Sequence, residues 1–208
     1  EDLRYLSRHG MVGTDFDCCL HNWATHGLNY YVLAKLRWNP DADVDTLIDE
    51  YCQSGFGPAA APIKRYFARV ERITDGIARH TEPGDARRLD ITEPYTPEVV
   101  AELSVLLEQA EKLAAGNKAV LARIAFLRRG LAFTGVQARA YRFLEQGAGA
   151  DRTAAQRILD RKYWMMRDIF ERDHLAVNVA YIAWGGGGYW KRLGWRWESD
   201  HAQPGASP

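Results

Sequence analysis

The chain has 208 residues with 27 basic and 27 acidic side chains, so its formal net charge at pH 7 is zero. Such a neutral chain lacks the positive potential with which nucleic-acid binders attract phosphates, and we expect no nucleic-acid partner. No segment approaches the roughly 18 consecutive apolar residues that a membrane-spanning helix needs, and we expect no membrane partner.

The N-terminal part begins with features of a strand and its following loop. Small and apolar residues between 10 and 20 lead into Asp15 and Asp17, which predicts a short strand over this stretch. Because the sequence starts at Glu1 without the zones of a signal peptide, we expect a processed form or an excised piece.

The cysteines Cys18, Cys19 and Cys52 are too few for a disulfide framework. The adjacent pair is either a redox or metal site or, as the pattern favours, one core-facing and one outward-facing neighbour.

Three helices are predicted next, in the remainder of residues 1–78. The first runs from about Thr25 to the residues before Pro40, because proline disfavours the α conformation in its predecessor. Asp43 is expected to cap the second helix, which the glycines at 55 and 57 break. The third covers about 59–78 with apolar residues at three- and four-residue steps. Residues 79–97, with three prolines and many charges, are predicted to be a linker.

A helical domain is predicted over residues 98–184, followed by a tail over 185–208. Thr96 and Pro97 form a helix start signal, and further helices are expected over about 118–145 and from about 152. The stripe of the first helix, from Val99 to Leu113, is predicted to be buried. The short connections favour an antiparallel up-down-up bundle. Gly130 and Gly135 weaken their helix by about 1 kcal/mol each and suggest a close helix crossing.

Polar and aromatic side chains are densest between the predicted strand and the first helix. We expect these residues to bind a substrate: Asp15, Asp17, His21, Asn22, Trp23 and His26. At this end of a strand, β/α-barrel enzymes place their active sites. Carboxylates, imidazoles and amides hydrogen-bond hydroxyl groups, and an indole packs against the apolar face of a pyranose. The sequence therefore predicts a carbohydrate ligand.

These residues could also have roles other than sugar binding. Asp15 and Asp17 could form a catalytic carboxylate pair, but such pairs usually come from different strands, so binding a hydroxyl or shaping the loop is favoured. His21 and His26 lack the i, i+4 spacing of helical zinc sites, and no metal or other cofactor is predicted. The sequence agrees equally well with a Trp23 side chain that stacks on a sugar and with one that packs in the core.

Several motifs resemble a known family. Residues 35–40, Lys-Leu-Arg-Trp-Asn-Pro, then residues 56–60, Phe-Gly-Pro-Ala-Ala, and the pair Tyr66-Phe67 occur in the order seen in domain-of-unknown-function family 4838, found in large bacterial proteins. Residues 29–41 also resemble the passage from barrel to helical domain in family 67 α-glucuronidases. Asn22-Trp23 is similar to an Asn-Trp of those enzymes, although the glycine that follows it there is out of register here.

The resemblance implies a mainly α chain that begins with the last strand–helix unit of a (β/α)₈ barrel, a TIM barrel, and continues as an antiparallel helical bundle. The parent would be a glycoside hydrolase of carbohydrate metabolism, acting on bacterial or plant polysaccharide and on uronic-acid glycosides. Its catalytic carboxylates would lie upstream, so no catalytic residue is assigned here and the fragment alone is expected to be inactive. A homodimer through residues 98–184 and an extracytoplasmic location follow from the same resemblance.

Two other functions stay open. The chain could be a non-catalytic helical interaction or dimerisation module, which predicts an exposed apolar patch on the bundle. A sugar-binding module without hydrolysis fits the aromatic residues but not the long helices.

Overall fold

The computed structural model describes residues 2–13, 22–79, 94–145 and 152–179. Within these ranges the protein is helical and contains no strand, which confirms the mainly α prediction. The helices are α1 (Asp2–Arg8), α2 (Trp23–Trp38), α3 (Val44–Phe56), a 3-10 turn (Gly57–Ala59), α4 (Ala60–Arg79), α5 (Pro97–Leu113), α6 (Lys118–Glu145) and α7 (Arg152–Arg172). None of these helices is long and apolar enough to cross a membrane.

The predicted strand falls largely outside the described residues. Residues 11–13 have no regular secondary structure, and residues 14–20 are not described. Most of the predicted linker over 79–97 and the whole tail over 185–208 also lie outside the described ranges. The barrel strand therefore stays a prediction.

Local capping signals place the helix ends where the sequence predicts them. The Asp43 carboxylate accepts a hydrogen bond from the Thr46 N–H at 2.8 Å, and the Thr96 hydroxyl accepts one from the Val99 N–H at 3.3 Å. These side chains satisfy N–H groups that have no partner inside their helices. Asn39 is extended before Pro40, so α2 ends at Trp38 as expected.

The first turn of α2 begins earlier than predicted, at Trp23 rather than at about Thr25. The N–H groups of Trp23 and Ala24 donate to the carbonyls of Leu175 and Ala176, at 3.0 and 3.1 Å. Since the first N–H groups of a helix need partners from outside it, this distant segment stabilises the extra residues. The helix α3 passes Gly55 and ends at Phe56, before Gly57 with φ of +48°, which is within the stretch predicted to break it.

Neighbouring helices pack antiparallel. Gly135 of α6 faces Val100 near the start of α5, whereas Arg128 pairs with Glu111 near the end of α5. Arg129 pairs with Asp168 of α7, while Leu159 near the start of α7 packs with Ala140 further along α6. Residue numbers that rise on one helix as they fall on the other identify both pairs as antiparallel, which agrees with the predicted bundle order.

One hydrophobic core joins the helices on both sides of residues 80–93. It combines Cys52 and Phe56 of α3, Ile63 of α4, Leu107 of α5 and Ile124 of α6, all at most 3% exposed. Because these side chains bury apolar surface against one another, each of the four helices stabilises the other three. Leu113, predicted to be buried, is 53% exposed, whereas the next residue, Ala114, is 1% exposed and belongs to this core.

The glycines of α6 lie at close helix crossings, as predicted. A Cβ atom on Gly130 would lie 2.8 Å from the Cβ of Ala24 in α2, which is well inside van der Waals contact. A Cβ on Gly135 would lie 3.2 Å from a methyl carbon of Val100. Because these two glycines have no side chain, α2 and α5 can approach α6 closely. The contact at Gly130 fixes the position of α2.

Candidate functional site

Three of the six predicted substrate-binding residues can be located, and all three belong to the start of α2. Asn22 precedes the helix, and Trp23 and His26 lie in its first turn. Asp15, Asp17 and His21 lie outside the described residues. The geometry of the predicted site therefore rests on the first turns of α2 and on what packs against them.

Asn22 has a structural contact of its own. Its side-chain oxygen accepts a hydrogen bond from the Asn178 N–H at 2.7 Å. Together with the bonds from Trp23 and Ala24 to residues 175 and 176, this contact holds the segment after α7 against the start of α2. The side-chain oxygen of Asn22 therefore already has a partner within the chain.

Trp23 and His26 are exposed and share an aromatic neighbour. Trp23 is 41% exposed and meets Tyr30 edge to face, with ring centroids 5.0 Å apart. The His26 ring stacks on Tyr30 with a centroid separation of 5.9 Å and an interplanar angle of 23°. The Nδ1 atom of His26 lies 2.8 Å from the Thr25 hydroxyl. The indole of Trp23 is thus partly accessible to solvent.

A cavity of about 840 Å³ lies between α2, α3 and α6. Its volume is in the range of about 300–1,000 Å³ that small-molecule sites occupy. Six aromatic side chains line it: Trp23, Tyr30, Tyr31, Tyr51, Phe56 and Phe126. We call this space the aromatic cavity. Its walls offer the flat apolar surface against which a ring can pack.

Packing holds the aromatic walls in place. Tyr51 of α3 contacts Tyr31 and Phe56, with ring centroids 5.2 and 6.1 Å away. Gly27 of α2 makes room for Tyr51, since a Cβ there would lie 3.3 Å from the phenol oxygen. Burial raises the pKa of Tyr51, so its hydroxyl stays neutral at physiological pH and can donate or accept a hydrogen bond.

Two charged side chains also line the aromatic cavity. Asp173 is neutralised by Arg129, whose Nε lies 2.7 Å from the carboxylate. Arg123 donates to the Gly55 carbonyl at 2.8 Å and forms no ion pair with any residue that the structure describes. An exposed guanidinium without a carboxylate partner leaves the cavity able to attract an anionic group.

His26 lines a different space from Trp23. It belongs to a second cavity of about 390 Å³ on the other side of α2, together with Asn22 and Asn29. The predicted binding residues that can be located are therefore close in space but divided between two cavities. Among the described residues, no group of three or more His, Cys, Asp or Glu side chains could hold a metal ion.

Cys52 is a core residue of α3 and is 1% exposed. Burial raises the pKa of its thiol to about 11, so almost no thiolate forms near neutral pH. Cys18 and Cys19 lie outside the described residues.

We expect Cys52 not to react with a disulfide reagent such as DTNB in the folded protein at pH 8. In a variant with serines at positions 18 and 19, reaction should begin only when guanidinium chloride unfolds the protein, because unfolding removes both the burial and the raised pKa. Rapid stoichiometric reaction without denaturant would contradict the burial of this thiol.

The aromatic cavity includes residues that the sequence did not point to. Tyr51 belongs to α3, and Arg123 and Phe126 belong to α6, about 100 residues after Trp23. No local pattern links these positions, because their proximity depends on the crossing of α2 over α6 at Gly130.

Neither the curated proteins nor the solved structures contain a match to this chain. The model of a protein family described as "Domain of unknown function (DUF4838)" matches residues 1–69. The matched third includes α2, α3 and the first half of α4, and so contains Trp23, Tyr30, Tyr31 and Tyr51 of the aromatic cavity. This match supports the resemblance of the N-terminal part of the chain to that family of unknown function.

Proposed function

We propose that the chain is the C-terminal segment of a longer glycoside hydrolase-like protein that acts on bacterial or plant polysaccharide, and that the aromatic cavity holds a sugar ring of the substrate. The observation that carries the proposal is the exposed indole of Trp23 at the wall of this cavity. The apolar face of a pyranose packs on such a ring, while tyrosine hydroxyls can bond its hydroxyl groups.

In this proposal the catalytic carboxylates belong to the part of the protein that precedes the chain. Glycoside hydrolysis requires two carboxyl groups about 5–9.5 Å apart across the bond that is cut. No such role is assigned to a described residue. The segment contributes substrate contacts at the rim of a β/α barrel, where the ends of strands and their loops meet the substrate.

Arg123 favours a uronic acid among the sugars that the cavity could take. Its exposed guanidinium lacks a carboxylate partner among the described residues and reaches the cavity from α6. A guanidinium binds a carboxylate through charge-assisted hydrogen bonds, which are stronger than bonds to a neutral hydroxyl. We therefore expect a glucuronoside to bind more tightly than the matching glucoside.

The test is to titrate the chain with a glucuronic-acid-containing xylo-oligosaccharide and follow binding by calorimetry. Trp23→Ala should weaken binding about tenfold, which corresponds to about 1.4 kcal/mol. The matched control is Trp38→Ala, since Trp38 ends the same helix, is 92% exposed and does not line the aromatic cavity. Arg123→Met should remove the preference for the charged sugar.

The same variants can be tested in the longer protein, which should hydrolyse an aryl glycoside or glucuronide. Trp23→Ala should raise KM or lower kcat there, and His26→Ala tests the rim of the neighbouring cavity in the same way. Unchanged kinetics in both variants, with oligosaccharide binding equal in wild type and Trp23→Ala, would contradict the site.

A helical interaction or dimerisation module is the second candidate function. Apolar side chains on α5 and α7 favour it, since Val105, Leu113 and Phe170 are 48–58% exposed. Such side chains are common at subunit interfaces. A dimer mass in light scattering that Phe170→Asp converts to a monomer mass would support this candidate, and a monomer of the unmodified chain would remove it.

A further inference from the structure

The segment after α7 brings an acidic residue to the aromatic cavity. Asp173 follows the last residue of α7 and lines the cavity together with Trp23. The carbonyl of Leu175 accepts a hydrogen bond from the N–H of Trp23 at 3.0 Å, and the carbonyl of Ala176 accepts one from the N–H of Ala24 at 3.1 Å. These two bonds hold the segment against the first turn of α2. Asp173 and Trp23 therefore share one cavity wall although they lie far apart in the sequence.

Backbone hydrogen bonds and an ion pair fix the position of the Asp173 carboxylate. The N–H of Asp173 donates to the carbonyl of Ile169, and its own carbonyl accepts from the N–H of Ala176, both at 2.8 Å. Ile169 is buried in the core, so this end of α7 is anchored. The Nε atom of Arg129 lies 2.7 Å from Oδ2 of Asp173, and the Nη1 atom of the same guanidinium lies 3.3 Å from Asp168. A side chain held in this way loses little conformational entropy when it binds a ligand.

The ion pair leaves the Asp173 carboxylate able to accept further hydrogen bonds. A carboxylate accepts at about four positions on its two oxygens, and a single contact with Arg129 uses only part of this capacity. The side chain of Asp173 is 36% exposed, so a ligand in the cavity can reach it. The aromatic cavity thus combines a flat apolar surface with an anionic acceptor.

We propose that Asp173 accepts a hydrogen bond from a ring hydroxyl of the sugar that stacks on Trp23, and that this bond determines which sugars the aromatic cavity accepts. The inference rests on the proposed carbohydrate site and assigns a specificity-determining residue to it. A hydrogen bond to an ionised carboxylate is stronger than one between neutral groups. A sugar without that hydroxyl would cover the carboxylate without supplying a donor, which lowers the affinity of that sugar.

The opposite charges of Arg123 and Asp173 assign different partners to the two residues. Arg123 attracts the carboxylate of a uronic acid, whereas Asp173 repels a carboxylate and accepts a hydroxyl instead. Because both residues line the same cavity, together they favour one orientation of the ring on Trp23.

The test compares methyl glucuronoside with its monodeoxy derivatives, each of which lacks one ring hydroxyl, in NMR titrations of the chain. We expect one derivative to bind the wild type about tenfold more weakly than the parent sugar, as the loss of one bond to a charged group allows. In Asp173→Ala the parent sugar should bind as weakly as that derivative, because the acceptor is missing for both.

Asp168→Ala is the matched control. Asp168 contacts the same guanidinium of Arg129 but does not line the aromatic cavity. This variant should keep the wild-type ratio between the affinities of the parent sugar and the derivative. Loss of the ratio in both variants would show that Asp173 acts only by holding Arg129, and would overturn the proposal.

A second variant at the same position covers the case in which Asp173→Ala does not fold. Asp173→Asn keeps the shape of the side chain and should narrow the affinity ratio, since a neutral amide oxygen accepts a weaker hydrogen bond than a carboxylate does. An unchanged ratio in Asp173→Asn would contradict the role of the charge.

The outcomes separate this inference from the proposed function. If the parent sugar binds and every derivative binds equally well, or if the ratio survives in Asp173→Ala, the role of Asp173 is wrong while the carbohydrate site stands. No binding of any sugar of the series would also overturn the role of Asp173. If the glucuronic-acid-containing xylo-oligosaccharide does not bind either, the proposed function is wrong as well.

Discussion

Replacing Leu107 by alanine is expected to lower the free energy of unfolding by about 2–5 kcal/mol, the usual cost of a cavity in a well-packed core. Leu107 is fully buried in the core that α3, α4, α5 and α6 share. Because Leu107 is 0% exposed, its truncation leaves a cavity inside the core that solvent cannot fill. Urea denaturation monitored by circular dichroism measures the change.

Val105→Ala is the matched control on the same helix. Val105 is 48% exposed, so its truncation should change the free energy of unfolding by less than about 0.5 kcal/mol, as for most surface substitutions. Equal losses in the two variants would contradict the burial of Leu107.

Tryptophan fluorescence and circular dichroism should also give coincident unfolding transitions, because one core spans residues on both sides of 80–93. Two separated transitions would show that these helices unfold independently.

Gly130→Ala is expected to destabilise the protein by about 1–3 kcal/mol through overpacking. Alanine normally stabilises a helix by about 1 kcal/mol relative to glycine. Here the new methyl group would lie 2.8 Å from the Cβ of Ala24, so α2 would have to move away from α6. The displacement would shift Trp23, and we expect sugar binding in the aromatic cavity to weaken with stability. Thermal unfolding together with calorimetric titration measures both effects.

Gly76→Ala separates the packing effect from helix propensity. Gly76 lies inside α4, and a Cβ there would meet nothing within 4 Å. This variant should gain up to about 1 kcal/mol of stability, because only the propensity changes. A gain of similar size in Gly130→Ala would contradict the close crossing of α2 and α6.

The helix ends could be predicted from the sequence because their signals are local. Asp43 and Thr96 each bond an N–H three residues ahead, and Pro40 restricts only its predecessor. The crossing at Gly130 was also foreseen, since glycine inside a long helix is costly unless it serves close packing. The earlier start of α2 at Trp23 was not, because its stabilising partners are the carbonyls of residues 175 and 176.

The exposure of Leu113 shows where periodicity fails. A repeat of apolar residues identifies the buried face of a helix but not how wide a strip its neighbours cover. The buried residues of α5 and its C-cap follow one another at steps of three and four, at Leu103, Leu107, Ala110 and Ala114. Leu113 lies beside this strip and is exposed.

The candidate site could be predicted only in part. The sequence directed attention to the first turn of α2, and Trp23 and His26 are indeed exposed there. It could not assign these two residues to different cavities, because the division depends on how α3, α4 and α6 surround α2.

The most direct test of the carbohydrate site is to observe the indole of Trp23 while a sugar binds. The chain labelled with ¹⁵N gives a separate N–H signal for each indole, and Trp23→Phe and Trp38→Phe assign two of them. On titration with a glucuronic-acid-containing xylo-oligosaccharide, we expect the Trp23 indole signal to shift in a saturable way while the Trp38 signal stays in place. A saturable shift elsewhere with an unmoved Trp23 signal, or no shift at all, would contradict sugar binding in the aromatic cavity.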